Sequence, residues 1–414
     1  MPTEGHLYKL DSAMLLNATL VRWDRFDSMP LCLAGDRIVP ALSTRRYSLD
    51  LKDHLIFPGL INAHDHLQLN AIPPLQHPEP FPNSYAWIAA LQAHMVTPAV
   101  AAARALPADA RHWHGGLKNL LSGVTTVAHH DPLHPVLDDP AFPVRVLRDF
   151  GWSHSLGLGR PGSNRSSLCY GPPIPESFTA TPAGRPWIVH LAEGTDRGAA
   201  TELDELDSLG CLAANTVLVH GVGLTDGDID RVIERHAAVL WCPGSNLTML
   251  GRTLQPTRLL DAGLLALGSD SRLSGAFDLL TEMRLAAKNT HVEPRALLRL
   301  VTEAGSRLLA LPEAGGLDPG QWADLLIVRD QGADPYQALL QLRRADIRAV
   351  VRGGRPAVAD PDFAPWFAAC NIPTTPIRLD GRPKLWATAL LGPTEAVALE
   401  PGLDIQGRAL SVER

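Results

Sequence analysis

Short apolar runs alternate with helical patterns through the middle of this 414-residue chain, and few folds accept that rhythm. The runs are Gly59–Ala63, Val124–Ala128, Trp187–His190, Thr216–His220, Val239–Cys242 and Leu264–Gly268. Helical patterns at Thr195–Leu209 and Thr225–His236 lie among them, the second opening on Thr225 and Asp228 as an approximate capping box. Two more, Asp278–Asn289 and Arg295–Leu309, follow the last run. Strand–helix alternation over about 250 residues predicts an α/β fold with a parallel sheet, and a (β/α)8 TIM barrel fits the length. Six strands are clear; the third is expected near Val144–Leu147 and the fourth within Ser166–Phe178, in a stretch rich in Gly, Pro and Ser. β-type pieces near the start (Met14–Trp23, Asp36–Val39, Tyr47–Leu51) are matched late by Ala323–Val328 and Ile347–Arg352. The two ends are therefore expected to form one small β-sandwich domain from residues 1–57 and 313–414, around a barrel of residues 58–312.

Composition excludes several partners. A formal charge of −7 argues against nucleic acid or an anionic membrane. No apolar run approaches the roughly 20 residues of a membrane span. The opening Met-Pro-Thr-Glu-Gly-His has neither the basic nor the apolar region of a secretory leader. Five scattered cysteines, odd in number and without a CxxC, read as reduced thiols in a cytoplasm.

The chemistry collects where the apolar runs end. The first ends in His64 and His66, and residues two apart in a strand share a face. Two imidazoles presented together are half of a site for zinc or ferrous iron. Alone, the pair would read as well as two surface histidines. Later runs end alike: in His190, with Glu193 three residues on; in His220; and in Ser269-Asp270. C-terminal strand ends in a barrel converge on one mouth, so His64, His66, His190 and Asp270 would meet there. Three imidazoles and a carboxylate make a cage for one divalent metal with room for water. Competing readings exist: Glu193 could simply favour the start of the next helix, and His220 could be structural. His129, His130 and Asp131 follow the second run and would face the same mouth without an assigned part.

A family resemblance rests on these words. Pro58-Gly-Leu-Ile-Asn-Ala-His-Asp-His66, Gly123-Val-Thr-Thr-Val127, His190-Leu-Ala-Glu193, Val219-His220-Gly-Val, Cys242-Pro-Gly-Ser-Asn246, Gly268-Ser-Asp270 and Gly320-Gln-Trp-Ala-Asp-Leu325 occur in order over most of the chain. Together they resemble the amidohydrolase superfamily, in its aminohydrolase branch with guanine deaminases, S-adenosylhomocysteine deaminases and triazine hydrolases. The resemblance implies that His64, His66, His190 and Asp270 hold one Zn2+, with Fe2+ the alternative. It further implies that His220 polarises the attacking water or the scissile bond and that Glu193 shuttles a proton. Asp270 could also take a proton from the water. Branches with two metals usually bridge them by a carboxylated lysine on the fourth strand, and no lysine lies between Lys118 and Lys288. Relatives are commonly homodimers or larger.

These readings predict a hydrolase of carbon–nitrogen bonds other than peptide bonds, deaminating a small nitrogen heterocycle. The alternative is hydrolysis of a cyclic amide, or dechlorination, with the same site; a halide leaves without a proton and would depend less on Glu193. A barrel that only binds is the third reading, and the filled metal and proton-transfer positions speak against it. Gln68, Trp87 and His129 are the expected substrate contacts, with Asn70 and Tyr85 as neighbours. The proline-rich segment Gln68–Asn83 departs from the family pattern after the HxH, where an Arg commonly occurs, so purine specificity does not carry over.

Overall fold

The computed structural model describes residues 12–41, 47–159, 165–166 and 168–405. The opening Met1–His6, read above for a leader, lies outside them. Strand β1 (Leu60–Asp65) pairs in parallel with β2 (Val124–His129), and β2 with β3 (Arg145–Val146). A second parallel ladder runs through β4 (Gly151–Ser155), β5 (Trp187–Leu191), β6 (Thr216–His220), β7 (Ala238–Trp241) and β8 (Leu265–Leu267). Every residue of β1, β2, β5, β6 and β7 is buried, which is why these strands read as continuous apolar runs rather than alternating ones. Beyond β8 the chain returns to β1: the Ser269 and Asp270 amides both donate to His64 O at 3.0 Å. Gly268 permits that approach, since a Cβ there would stand 2.6 Å from His64 Cβ.

One strand departs from expectation. The fourth strand is Gly151–Ser155, not part of Ser166–Phe178, where Ile174–Ala180 is instead helical. Gly-Trp-Ser-His-Ser carries too few aliphatic side chains to announce a buried strand, whereas Pro173 and Pro175 suit a first helical turn. Two expected helices are also split, into Arg197–Ala200 with Glu202–Ser208 and Pro294–Leu300 with Glu303–Leu308. β-branched residues, Thr201 and Val301-Thr302, sit at the breaks. The capping box is present: Thr225 Oγ1 accepts from the Asp228 amide and Asp228 accepts from the Thr225 amide.

Strands from both ends of the chain share one nine-stranded sheet, in which His54–Pro58 pairs antiparallel with Leu325–Arg329. A four-stranded sheet of Ser12–Leu16, Leu31–Ala34, Arg37–Val39 and Tyr47–Asp50 packs near it. Leu15, Leu33 and Ile38 share a core with Ile56, Ile327 and Val351 of the larger sheet. Only Gly59 separates His54–Pro58 from β1, so the terminal sheet grips the HxH strand at its root. A side chain at Gly59 would meet Thr125 Oγ1 at 2.3 Å. Among the described residues no single helix is long and apolar enough to cross a membrane.

Candidate metal centre and active site

The C-terminal ends of β1, β2, β5 and β6 and the turn after β8 bring five histidines and one aspartate together. His190 Nε2 lies 3.3 Å from both His64 Nε2 and His66 Nε2. Asp270 Oδ1 stands 4.0 Å from His64 Nε2 and 3.8 Å from His66 Nε2. Two overlapping donor groups result: His64, His66, His130 and His190; and His64, His220 and Asp270. The predicted set is thus brought together, with His130 as a near neighbour that the sequence left unassigned.

The partners of these rings decide which nitrogen faces inward. His66 Nδ1 donates to Asp131 Oδ2 at 2.7 Å, and His190 Nδ1 donates to His154 O at 2.8 Å. In its neutral form each ring therefore turns a bare Nε2 lone pair toward the other. His130 Nε2 donates to Ser153 O at 3.0 Å, leaving its buried Nδ1 without a partner. Ligands 2.0–2.1 Å from a tetrahedral zinc stand about 3.4 Å apart, so facing lone pairs at this spacing suit a cation between them. Electrostatics agree. Burial, then neighbouring histidines, holds His64, His130 and His190 well below the usual imidazole range, in the neutral form a metal needs. Burial would lower His66 too, yet Asp131 and Asp270 raise it to about 9. The site favours positive charge at that point, whether carried by a proton or by a metal ion. These residues fit a divalent cation.

A second tier fixes the acid and base groups. Asp270 Oδ2 accepts from the Ser245 and Ser274 hydroxyls at 2.7 and 2.8 Å, while Oδ1 accepts the Ser271 amide at 2.7 Å and faces the histidines. Burial acts upward on this carboxyl, but His66, His220 and the serines hold it below its ordinary value. His220 Nδ1 donates to Asn246 Oδ1 at 2.8 Å. The Asn246 amide is oriented by its Nδ2 donating to Thr253 Oγ1 at 3.2 Å. His220 Nε2 then faces Glu193 Oε1 at 3.3 Å. Burial first, with Asp270 adding to it, pushes the Glu193 carboxyl up. His220 and Asp270 both take left-handed backbone, φ 75° and 50°, unusual for side-chain-bearing residues and common at functional sites.

The Cys242-Pro-Gly-Ser-Asn246 word now has a physical reading. It starts the helix Pro243–Leu250, with Ser245 on Asp270 and Asn246 on His220. Gly244 is pressed against Glu282, whose carboxylate would lie 2.4 Å from an added Cβ and which accepts the Gly244 amide at 2.7 Å. Below the cluster, Lys118 is fully buried and donates to Asp65 Oδ2, Ser269 Oγ and Asp270 O at 3.0 to 3.2 Å. That ties the residue between the two HxH histidines to the turn that carries Asp270.

A cavity of about 360 Å³ opens over the cluster, with Glu193, His220, Asp270 and Asp131 on its floor. Of the expected substrate contacts, Gln68 and Trp87 line it and His129 does not. His129 is buried, accepts the Leu67 amide and packs edge-on to His112. Tyr85 donates to Glu202 and Asn70 to Asp65, so both brace the walls. Asp131, from the unassigned run after the second strand, lines the cavity, as do Tyr170 and His154. His154 and Tyr170 come from β4 and the segment after it, the part of the sequence hardest to place.

Residues 185–357 match the amidohydrolase family. The match covers less than half of the chain. That match takes in His190, Glu193, His220 and Asp270. The chain is 28% identical over 195 residues to a 5-methylthioadenosine/S-adenosylhomocysteine deaminase of Thermococcus sibiricus, covering 40% of this chain and 45% of that protein. It is 31% identical over 193 residues to an 8-oxoguanine deaminase of Pseudomonas aeruginosa, covering 41% and 43%. The matched stretch therefore spans under half the length of these relatives. Among solved structures, the chain resembles the zinc complex of atrazine chlorohydrolase from Arthrobacter aurescens, with a TM-score of 0.68 and 20% identity over 86% of this chain and 100% of that one. It also resembles a zinc-bound adenosine deaminase from Xanthomonas campestris, with a TM-score of 0.66 and 20% identity over 87% and 97%. The structural likeness accordingly shows an α/β fold of TIM-barrel type.

Proposed function

We propose that this chain is a metal-dependent hydrolase that deaminates a small nitrogen heterocycle, converting an amine-bearing carbon to a carbonyl and releasing ammonia. The observation that carries the reading is the Glu193 carboxyl, 3.3 Å from His220 Nε2 at the floor of the cavity that also exposes His66, His190 and Asp270. His64, His66, His190 and Asp270 would hold one divalent ion, Zn2+ or alternatively Fe2+. Such an ion supplies a strongly acidified water at neutral pH. Asp270, oriented by two serine hydroxyls on Oδ2 and the Ser271 amide on Oδ1, would take a proton from that water on the histidine side. Glu193, raised by burial, exchanges a proton across its contact with His220 and can deliver one to the leaving nitrogen. His220, its tautomer set by Asn246, orients the attacked group. Names of the relatives support this reading, being deaminases of adenosine- and guanine-type compounds.

The test is ammonia release from a panel of amino-substituted heterocycles by wild type and Glu193→Gln. The variant should retain its metal and lose activity by about 10²–10⁴-fold, the usual worth of a positioned acid–base group. Metal retained with unchanged ammonia release would remove Glu193 from the mechanism. Release of halide, but no ammonia, would move the reading to dechlorination.

We also propose that the two parallel ladders close into one eight-stranded barrel over residues 58–312. The flanking residues 1–57 and 313–414 would then form a small β-sandwich domain. All five cysteines are free thiols, as suits the cytoplasmic setting proposed here. The partner is a small molecule, without nucleic acid or membrane, and a homodimer is the assembly to look for.

A further inference from the structure

The floor of the cavity is explained by chemistry; its wall is not. One helix, Ser84–His94, and the turn after it put Trp87, Ile88, Leu91 and Met95 on the cavity. Their spacing of one, three and four residues is that of a single helical face. All four are half-buried rather than packed away, and Leu69 and Met249 extend the apolar lining. Tyr170, on the cavity lining, is 40% exposed.

Outside the histidine cluster, the charged side chains on the cavity have one sign. Asp131, Glu193 and Asp270 line it, and among the described residues no Lys or Arg does. The nearby cations among the described residues are paired. Arg272, two residues past Asp270, turns both terminal nitrogens onto Glu400 at 2.9 and 3.0 Å. Lys118 lies beneath the cluster on Asp65 at 3.1 Å. Arg165 pairs with Glu205 at 2.5 Å.

From this division we infer that the substrate is an uncharged heterocycle carrying an apolar substituent, which lies on the Trp87–Met95 stripe while the ring meets the floor. A carboxylate or phosphate on that substituent would lie against an apolar wall with no Lys or Arg among the described residues to receive it. The inference rests on the heterocycle reading above for the ring alone; the substituent preference belongs to the wall.

The probes are adenine and 2-amino-1,3,5-triazine, each bearing either a butyl or a 3-carboxypropyl chain. Binding to the zinc-loaded protein is measured by calorimetry, and ammonia release is followed separately. In at least one ring series the butyl compound should bind ten-fold or more tightly than its carboxylated partner. Shortening the alkyl chain should weaken binding by about fourfold per buried methylene. Leu91→Arg should reduce or reverse the preference. Equal binding of the paired compounds, a preference for the carboxylate, failure of every alkyl probe to bind, or a preference untouched by Leu91→Arg would each overturn the inference. Alkyl-selective binding without ammonia release would leave it standing and overturn the deaminase reading. Ammonia release with no alkyl preference would do the reverse.

Discussion

Asp131 accepts from His66 Nδ1, Gln68 Nε2 and Tyr170 Oη, each at 2.7 Å. One carboxylate thereby sets the face of a ring in the proposed metal cluster and anchors two residues of the cavity lining. Carboxylate–histidine pairs of this kind fix the tautomer and the orientation of a ligand. Asp131→Asn should weaken zinc binding about 10–100-fold with the fold intact, read by competition with a chromophoric chelator. Unchanged affinity would mean that His66 is oriented without it. At this scale the sequence revealed donors more readily than their supports. His64, His66, His190 and Asp270 stand at the ends of recognisable strands, whereas Asp131 and His130 belong to a polar run whose direction depends on where β2 ends. Gln68 and Trp87 are placed on the cavity, but His129 faces the other way, since neighbours along a strand alternate sides.

At the scale of elements, motif words act as joints between segments. Glu282, on the helix Leu279–Thr290, accepts the Gly244 amide at 2.7 Å and the Ala276 amide at 3.0 Å. It holds the start of the helix that carries Ser245 and Asn246. Burial pushes its carboxyl up to about 8. The unfolded chain releases this proton near the ordinary value of 4.5, so the native state binds the extra proton between about 4.5 and 8. Its stabilising contribution is complete below that window and is lost as pH rises through it, at no more than about 1.4 kcal/mol per pH unit. Denaturation midpoints from pH 5 to 8 should fall more steeply for wild type than for Glu282→Gln. Parallel curves would mean that Glu282 is ionised throughout. Strands buried on both faces were the most legible elements, because covering helices force an uninterrupted apolar run. The fourth strand was misplaced because Gly151–Ser155 carries glycine, serines and His154 where an aliphatic run was sought.

At the scale of the molecule, the chain's two ends frame the site. The nine-stranded sheet enters β1 through Gly59. From the other end, Glu400 is buried among His114, Arg272 and Arg344, and Arg272 lies two residues past Asp270. The Arg272 amide also donates to Asn70 Oδ1, which joins the turn after β8 to the segment after β1. The pairing of the chain's ends was readable from their matching β texture; the Glu400 link was not, because an isolated Glu in a late turn gives no local sign of its partners.

The proposed activity depends on this histidine–aspartate cluster binding a metal ion. The most direct measurement is metal content by mass spectrometry after loading with zinc or ferrous iron under reducing conditions, for wild type and His190→Ala, with circular dichroism on both. One equivalent bound to wild type, and loss of that ion from a folded His190→Ala, is the predicted result. A folded wild-type protein that binds neither metal would contradict it.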